Sequence, residues 1–250
     1  MLKTFKADLH IHTCLSPCGD LKMTPQKIIN QVLENNLDII AICDHNTAEN
    51  VPALINAAKD KNVVVLPGME ICTREEIHVL ALFENLELVF EMQAKVYEKL
   101  HGKNNPDVFG LQVIGNEFDE VLGFNDKLLI GAVDLSVEEI VNRVHKLGGL
   151  AIASHIDRES YSVISQLGFI PNSLEFDALE ISPSISCEDA RKKFPVYQNY
   201  TFIQNSDAHF LNDIGKASTS LLLAEATFDE IKKALKDEDK RKIQNPKSKI

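Results

Sequence analysis

Leu37-Asp38-Ile39-Ile40-Ala41-Ile42-Cys43-Asp44-His45 is an apolar run of the kind that forms a strand buried on both faces, and it ends on a carboxylate and an imidazole. Upstream, residues 5–11 give a second strand signal. Between the two, Thr24-Pro25 supplies an N-cap and a first-turn proline for a helix to about Asn35. Strand, helix and strand in that order imply a parallel crossover.

The same alternation continues along the chain. Residues 47–61 read as a helix, 63–69 and 78–83 as strands, and 88–100 as a helix, after which 102–107 reads as a polar loop. From there to Ile130 no element can be assigned. Ser136-Val137-Glu138-Glu139 is a capping-box pattern that should open a helix running to Leu147. Strand signals at 149–154, 178–182 and 201–205, with helical pieces between them, precede a last strand near 218–223 and a helix capped by Thr227 and Glu230. The lysine-rich tail after Leu235 reads as a solvated helix end with a frayed terminus. Seven or so such units predict an α/β fold, a distorted TIM-like (β/α)7 barrel that is largely parallel. One domain is expected over 1–250, with 85–135 its least regular part and a possible insertion.

Composition narrows the function. The chain has 250 residues, 44% of them hydrophobic, which suffices for a substantial core. A net charge of −11 argues against binding duplex DNA through a basic face, although bound divalent cations would reverse the sign locally. Five cysteines make an odd number, no basic-then-apolar leader precedes the first strand, and no apolar run approaches membrane-spanning length. A cytoplasmic protein with no membrane partner is expected.

Set on this map, the polar candidates fall at or near strand ends. Asp8, His10 and His12 close the first strand, Asp44 and His45 the second and Glu70 the third; His155 ends a middle strand, and Asp207 and His209 follow the seventh. In a parallel barrel those positions converge on one rim. Imidazoles and carboxylates gathered in this way suit zinc, manganese or iron better than magnesium or calcium. Their number exceeds what one tetrahedral ion needs and matches two or three ions. Such a cluster lowers the pKa of bound water to about 7 and clamps a phosphoryl group, so phosphoester hydrolysis is its natural use.

These residues also form ordered motifs. Asp8-Leu9-His10-Ile11-His12-Thr13 with the Ser16-Pro17-Cys18-Gly19-Asp20 loop, Cys43-Asp44-His45-Asn46, Gly68-Met69-Glu70 with His78, Ser154-His155, and Asn205-Ser206-Asp207-Ala208-His209 resemble, in that order, the motifs of the polymerase and histidinol phosphatase family, PHP. The resemblance implies a distorted seven-stranded barrel with three divalent ions at its C-terminal rim. It assigns His10, His12, Glu70 and Asp207 to one ion, Glu70, His78 and His155 to a second, and Asp20, His45 and His209 to a third. Asp8 and Asp44 would orient neighbouring imidazoles. The implied reaction is hydrolysis of a small phosphomonoester or nucleotide, with a short oligonucleotide as a further substrate.

Plainer readings stand beside these. Asp20 follows a glycine, where an aspartate is commonly a turn residue. His78 lies inside an apolar strand, where an unpaired imidazole would be costly, which favours ligation. His101 and His145 read as solvated surface residues, and Cys14, Cys18, Cys43 and Cys72 as non-ligands. Arg158, three residues after His155, and Arg74, shortly after Glu70, are the candidates for gripping phosphate through a planar fork, and either could be a surface ion pair. No aromatic platform for bases is obvious, with no tryptophan and four tyrosines. No side chain is assigned as the catalytic nucleophile, a role left to water. The alternatives are a barrel hydrolase of amides or esters and a non-catalytic metal-binding accessory module.

Overall fold

The computed structural model describes residues 1–236, so the expected frayed tail lies, from residue 237 onward, outside the described residues. Ten strands and eight α-helices follow in the order β1 (Lys3–Ile11), α1 (Pro25–Glu34), β2 (Ile39–Ile42), α2 (Val51–Ala57), β3 (Val64–Cys72), β4 (His78–Leu82), α3 (Leu86–Lys99), α4 (Pro106–Phe109), β5 (Val113–Gly115), β6 (Val121–Phe124), α5 (Val137–Lys146), β7 (Leu150–Ala153), α6 (Val163–Leu167), β8 (Ala178–Ile181), α7 (Cys187–Lys193), β9 (Phe202–Gln204), β10 (Thr219–Leu223) and α8 (Phe228–Leu235).

Eight strands form one sheet in the order β10-β1-β2-β3-β4-β7-β8-β9. The pairs β1/β2, β2/β3, β7/β8 and β8/β9 are parallel, as crossover helices require. β4 runs antiparallel to both β3 and β7, because the five residues between β3 and β4 are too few for a crossover and allow only a return. β10 is antiparallel to β1. Past β9 the chain reaches β1 directly: the His12 N–H donates to the Ala208 carbonyl at 3.0 Å and the Ala208 N–H to the His10 carbonyl at 3.2 Å. The sheet is thereby nearly closed into the expected α/β barrel.

Alternate residues divide the core. One face collects Leu9, Ile39, Ala41, Leu66, Leu80, Leu82, Leu150, Ile152, Ala178 and Ile203, and α8 plugs one end of it with Phe228 and Ile231. The other face packs Ile40, Ile42, Met69, Val79 and Ala151 against Ile28 and Val32 of α1, Leu54 of α2, Met92 of α3 and Ile140 of α5. Each fully buried leucine or isoleucine contributes about 1.5–3 kcal/mol, so the two layers outweigh any single polar contact. The capping box of α5 is present, with Ser136 and Glu139 exchanging bonds. α8 differs from expectation: Thr227 makes no side-chain cap, and Glu230 accepts the Ala224 N–H at 2.8 Å. The second helix is shorter than its pattern, since the Thr47 hydroxyl and Ala48 N–H are bound to Gln93.

The unassignable stretch holds α4 and a separate hairpin, β5-β6. Side-chain amides fasten it, with no hydrophobic period. Gln112 Nε2 donates to the carbonyls of Asn125 and Lys127, Asn50 bonds Val113 and Gly115, and Asn46 Nδ2 donates to Leu129 and Gly131.

Candidate metal centre

The polar cluster grows out of the inner apolar layer, one residue pair further along each strand. Glu70 follows Leu66 and Gly68; Ser154 follows Leu150 and Ile152; Glu180 follows Ala178; Asn205 follows Ile203. β4 runs the other way, so its first residue, His78, reaches the same end. Gly68 keeps this layer close, because a Cβ there would meet Leu82 Cδ2 at 2.7 Å.

β1 needs a correction to its alternation. Its pairing with β2 shifts by one residue between Asp8 and Ile11, a bulge that turns His10 and His12 into the barrel and leaves Asp8 on the other face. The Asp8 carboxylate therefore orients no imidazole. It accepts the N–H groups of Ser206 at 3.0 Å and Gly215 at 2.9 Å, and burial pushes its pKa up to about 6 against those bonds.

Five imidazoles surround one carboxylate. Glu70 Oε1 lies 3.0 Å from His78 Nδ1, 3.3 Å from His155 Nε2 and 3.4 Å from His10 Nε2, while Oε2 lies 3.2 Å from His45 Nδ1 and 3.5 Å from His12 Nε2. Asp207 Oδ1 is 3.2 Å from both His10 Nε2 and His12 Nε2. His10 Nε2 and His12 Nε2 are themselves 3.1 Å apart. Despite this crowding, His45 Nδ1, His78 Nδ1, His155 Nδ1, Glu70 Oε1 and Asp207 Oδ1 are buried with no well-formed hydrogen bond. Groups left in that state would be costly in a finished core.

The outer nitrogens of three rings are committed elsewhere. His10 Nδ1 faces both oxygens of Glu180 at 3.1 Å, His12 Nδ1 meets Ser16 Oγ at 2.9 Å, and His209 Nδ1 meets the Asp207 carbonyl at 2.9 Å. Ser16 Oγ in turn donates to Asp44 at 2.6 Å, so Asp44 orients His12 through a hydroxyl. With Nδ1 donating, each Nε2 presents a lone pair to the cluster. Divalent cations fit these donors. Among the described residues, three groups have ligand atoms within 4.8 Å of one another: His10, His12, Glu70 and Asp207; His45, Glu70 and His78; and His12, His45 and His209.

Electrostatics shows the same imbalance. Burial opposes the charge on Glu70 and Asp207, yet neighbouring imidazoles, His78 and His10 for the first and His10 and His12 for the second, hold both carboxyls well below their usual range. Burial also opposes charge on His10, but Glu180, Asp207 and Glu70 outweigh it and raise its pKa. Burial and then repulsion from His209 lower His12 to about 4, while burial and then His12 depress His45. The backbone bends to the cluster too, with φ in the left-handed region at Asn46 (55°), His155 (29°) and Asp207 (50°).

The structure thus brings His10, His12, His45, Glu70, His78, His155, Asp207 and His209 together. It does not bring in Asp20, whose Oδ1 accepts the Lys22 N–H at 2.7 Å as a turn residue; its backbone N–H, bonded to the His209 carbonyl, is what ties that loop to the site. Arg158 reaches the rim, with Nη1 2.6 Å from Asp207 Oδ2. Arg74 does not: its Nε pairs with Asp134 Oδ1 at 2.7 Å on the exposed surface. His145 is not simply solvated, since it pairs with Asp177 at 2.9 Å. Glu180 was absent from the sequence candidates. Besides His10 it accepts the His155 N–H at 3.0 Å and Asn205 Nδ2 at 2.8 Å, and a lone carboxylate within the apolar run Ala178-Leu179-Glu180-Ile181 was the signal for it.

Fold and cluster together define a nearly closed α/β barrel with a candidate metal centre at one end, and comparison with known proteins shows what it is similar to. The PHP domain description matches residues 8–111, and the PHP-associated description matches 198–239. The chain therefore carries a PHP domain and, further on, a PHP-associated segment. It is 22% identical over 192 residues to a 5'-3' exoribonuclease of Haemophilus influenzae, covering 61% of this chain and 69% of that protein. In structure it is similar to the lesion-specific endonuclease Q of Pyrococcus furiosus, with a TM-score of 0.74 at 21% identity, and to endonuclease Q in complex with a 27-mer duplex bearing an abasic lesion, with a TM-score of 0.71 at 20% identity. Each structural match covers 96% of this chain and 58% of the other, so the chain spans little more than half of endonuclease Q, and the likeness establishes the fold. The duplex in the second neighbour leaves the expectation against duplex DNA, drawn from net charge, without support. Among the described residues no helix is long and apolar enough to cross a membrane.

Proposed function

We propose that this chain is a phosphoesterase that uses two to three divalent ions, zinc, manganese or iron, to hydrolyse a small phosphomonoester or nucleotide. The reading extends to the end of a short oligonucleotide. One observation carries it: five imidazoles share the buried Glu70 carboxylate at 3.0 to 3.5 Å while Glu70 Oε1, Asp207 Oδ1 and the Nδ1 atoms of His45, His78 and His155 have no well-formed hydrogen bond. His10, His12, Glu70 and Asp207 would hold one ion, Glu70 with His78 and either His45 or His155 a second, and His12, His45 and His209 a third. Bound there, the ions would supply a water nucleophile at neutral pH and offset charge on the phosphoryl oxygens.

The chain's own residues do the positioning. Glu180 and the Asp44-Ser16 pair fix the ring orientation of His10 and His12. Arg158 spends one N–H on Asp207 and keeps the others of its fork for a phosphate oxygen. The thiols beside the cluster are held protonated: burial first and Glu70 next raise the pKa of Cys43, and the same two causes push that of Cys72 up to about 12.

The test pairs elemental mass spectrometry with an assay of a chromogenic phosphomonoester, a phosphodiester, duplex DNA and an amide, with each metal supplied separately. More than one transition metal per chain and turnover of a phosphate ester are expected. One metal or fewer after reconstitution would count against the cluster. Turnover of the amide alone would favour the amide or ester hydrolase, and turnover of nothing the accessory module.

A further inference from the structure

We infer that Tyr161 is a specificity-determining residue of this site: its ring is a wall on which the planar nucleobase of a nucleoside leaving group stacks. The inference rests on the phosphoesterase reading and adds the chemistry of the group released. Tyr161 lies in the segment between β7 and α6 with φ at 58°, a left-handed conformation unfavourable for a bulky side chain. Its backbone duty is to accept the His78 N–H at 2.8 Å, which any residue fulfils and which glycine would fulfil without strain. What tyrosine adds is the ring.

That ring lies parallel to the His78 imidazole, with centroids 4.5 Å apart and planes inclined by 20°, yet the residue remains 42% exposed. The imidazole beneath it reaches Glu70 through Nδ1. The segment that carries the ring is closed on itself: the Arg158 N–H donates to the His155 carbonyl at 3.0 Å, and Ser162 Oγ donates to the Arg158 carbonyl at 2.8 Å. Arg158 of the same segment touches Asp207, so this one loop contacts the cluster at a carboxylate and at an imidazole. A phosphate at Arg158 and a flat ring at Tyr161 are the two ends of a nucleotide. Stacking on an aromatic face accepts any base, which suits a substrate defined by its phosphate and a base of any sequence.

The metal-loaded protein and its Tyr161→Ala, Tyr161→Leu and Tyr161→Phe variants are assayed on a nucleoside monophosphate and on glycerol phosphate. The Ala and Leu variants should raise KM for the nucleotide about tenfold more than for glycerol phosphate, and Phe should restore it. An equal loss on both substrates would assign Tyr161 to the support of His78 and overturn the inference. Turnover of glycerol phosphate but not of the nucleotide would overturn it while leaving the phosphoesterase reading intact; turnover of neither would remove both. Because the chain has no tryptophan, its emission is that of tyrosine. Nucleotide should quench the wild type more than Tyr161→Phe, and equal quenching would likewise count against the wall.

Discussion

Imidazoles meet carboxylates near both ends of β7 and β8, and the two ends are finished differently. Where the strands begin, His145 Nε2 sits 2.9 Å from Asp177 Oδ2, the same oxygen accepts the Ala151 N–H at 2.8 Å, and Lys236 approaches the other at 3.8 Å. These groups line a cavity of about 440 Å³ with Phe176, Tyr200 and Lys232, yet their charges answer one another. Where the strands finish, His155 leaves one ring nitrogen unbonded, and Glu70 and Asp207 each leave an oxygen so. Identical residue types can therefore be a completed structural pair or an incomplete coordination set. Unmade bonds separate the two, together with burial, since the His145 side chain is 30% exposed and that of His155 3%.

The contrast breaks most sharply at Glu70. Glu70→Gln keeps the shape but removes the charge shared by five imidazoles, so kcat/KM toward a phosphate ester should fall by more than about 10³-fold and metal content should drop. Circular dichroism should show a folded protein, since Glu70 supports no neighbour that the core needs. Activity near wild type would mean that the open bonds at the rim carry no function.

Glu180 tests the layer behind. Its carboxylate holds the Nδ1 side of His10, the backbone of His155 and Asn205 at once. Glu180→Gln should cost about 10- to 100-fold in metal affinity or kcat/KM, as loss of an outer partner of a ligating histidine does. Titration of the metal-free variant with zinc or manganese measures it, and unchanged affinity would reduce Glu180 to a structural bond.

How much of this was readable in advance follows from which physical signal each residue left. The strand runs and the residues capping them were legible because burial forces an apolar period, and polar residues interrupting it at strand ends stand out. The role of Asp8 was carried over from the motif resemblance, and the one-residue shift between Asp8 and Ile11 that turns it away cannot be seen in a single chain. Glu180 was missed because it lies inside a strand with no motif beside it. The hairpin at 113–124 left no period, being short, exposed on Val121, Leu122 and Phe124, and fastened by amide side chains. In sequence, Arg158 ranked ahead of Arg74 only by standing nearer to a proposed ligand. Only the fold shows that one faces Asp207 and the other Asp134.

Arg158 gives an effect one step smaller. Arg158→Lys preserves the charge beside Asp207 but loses the planar fork, so a charge-assisted contact of about 1.5–3 kcal/mol should weaken. The expected result is a roughly tenfold fall in kcat/KM with metal content unchanged. Wild-type kinetics would leave the phosphate to the ions alone and make Arg158 only a partner of Asp207.

The smallest effect belongs to the completed pair. His145 is about a third exposed and its bond to Asp177 is screened accordingly, so His145→Ala should cost about 1 kcal/mol or less of stability, measured by urea unfolding. Asp177 keeps the Ala151 N–H and the approach of Lys236, which limits the loss further. Phosphoesterase activity and metal content should stay within about twofold of wild type, because nothing in the pair reaches the cluster at the far end of β7 and β8. A large loss of activity without a loss of stability would place chemistry at the closed end and erase the distinction between the two ends of the barrel.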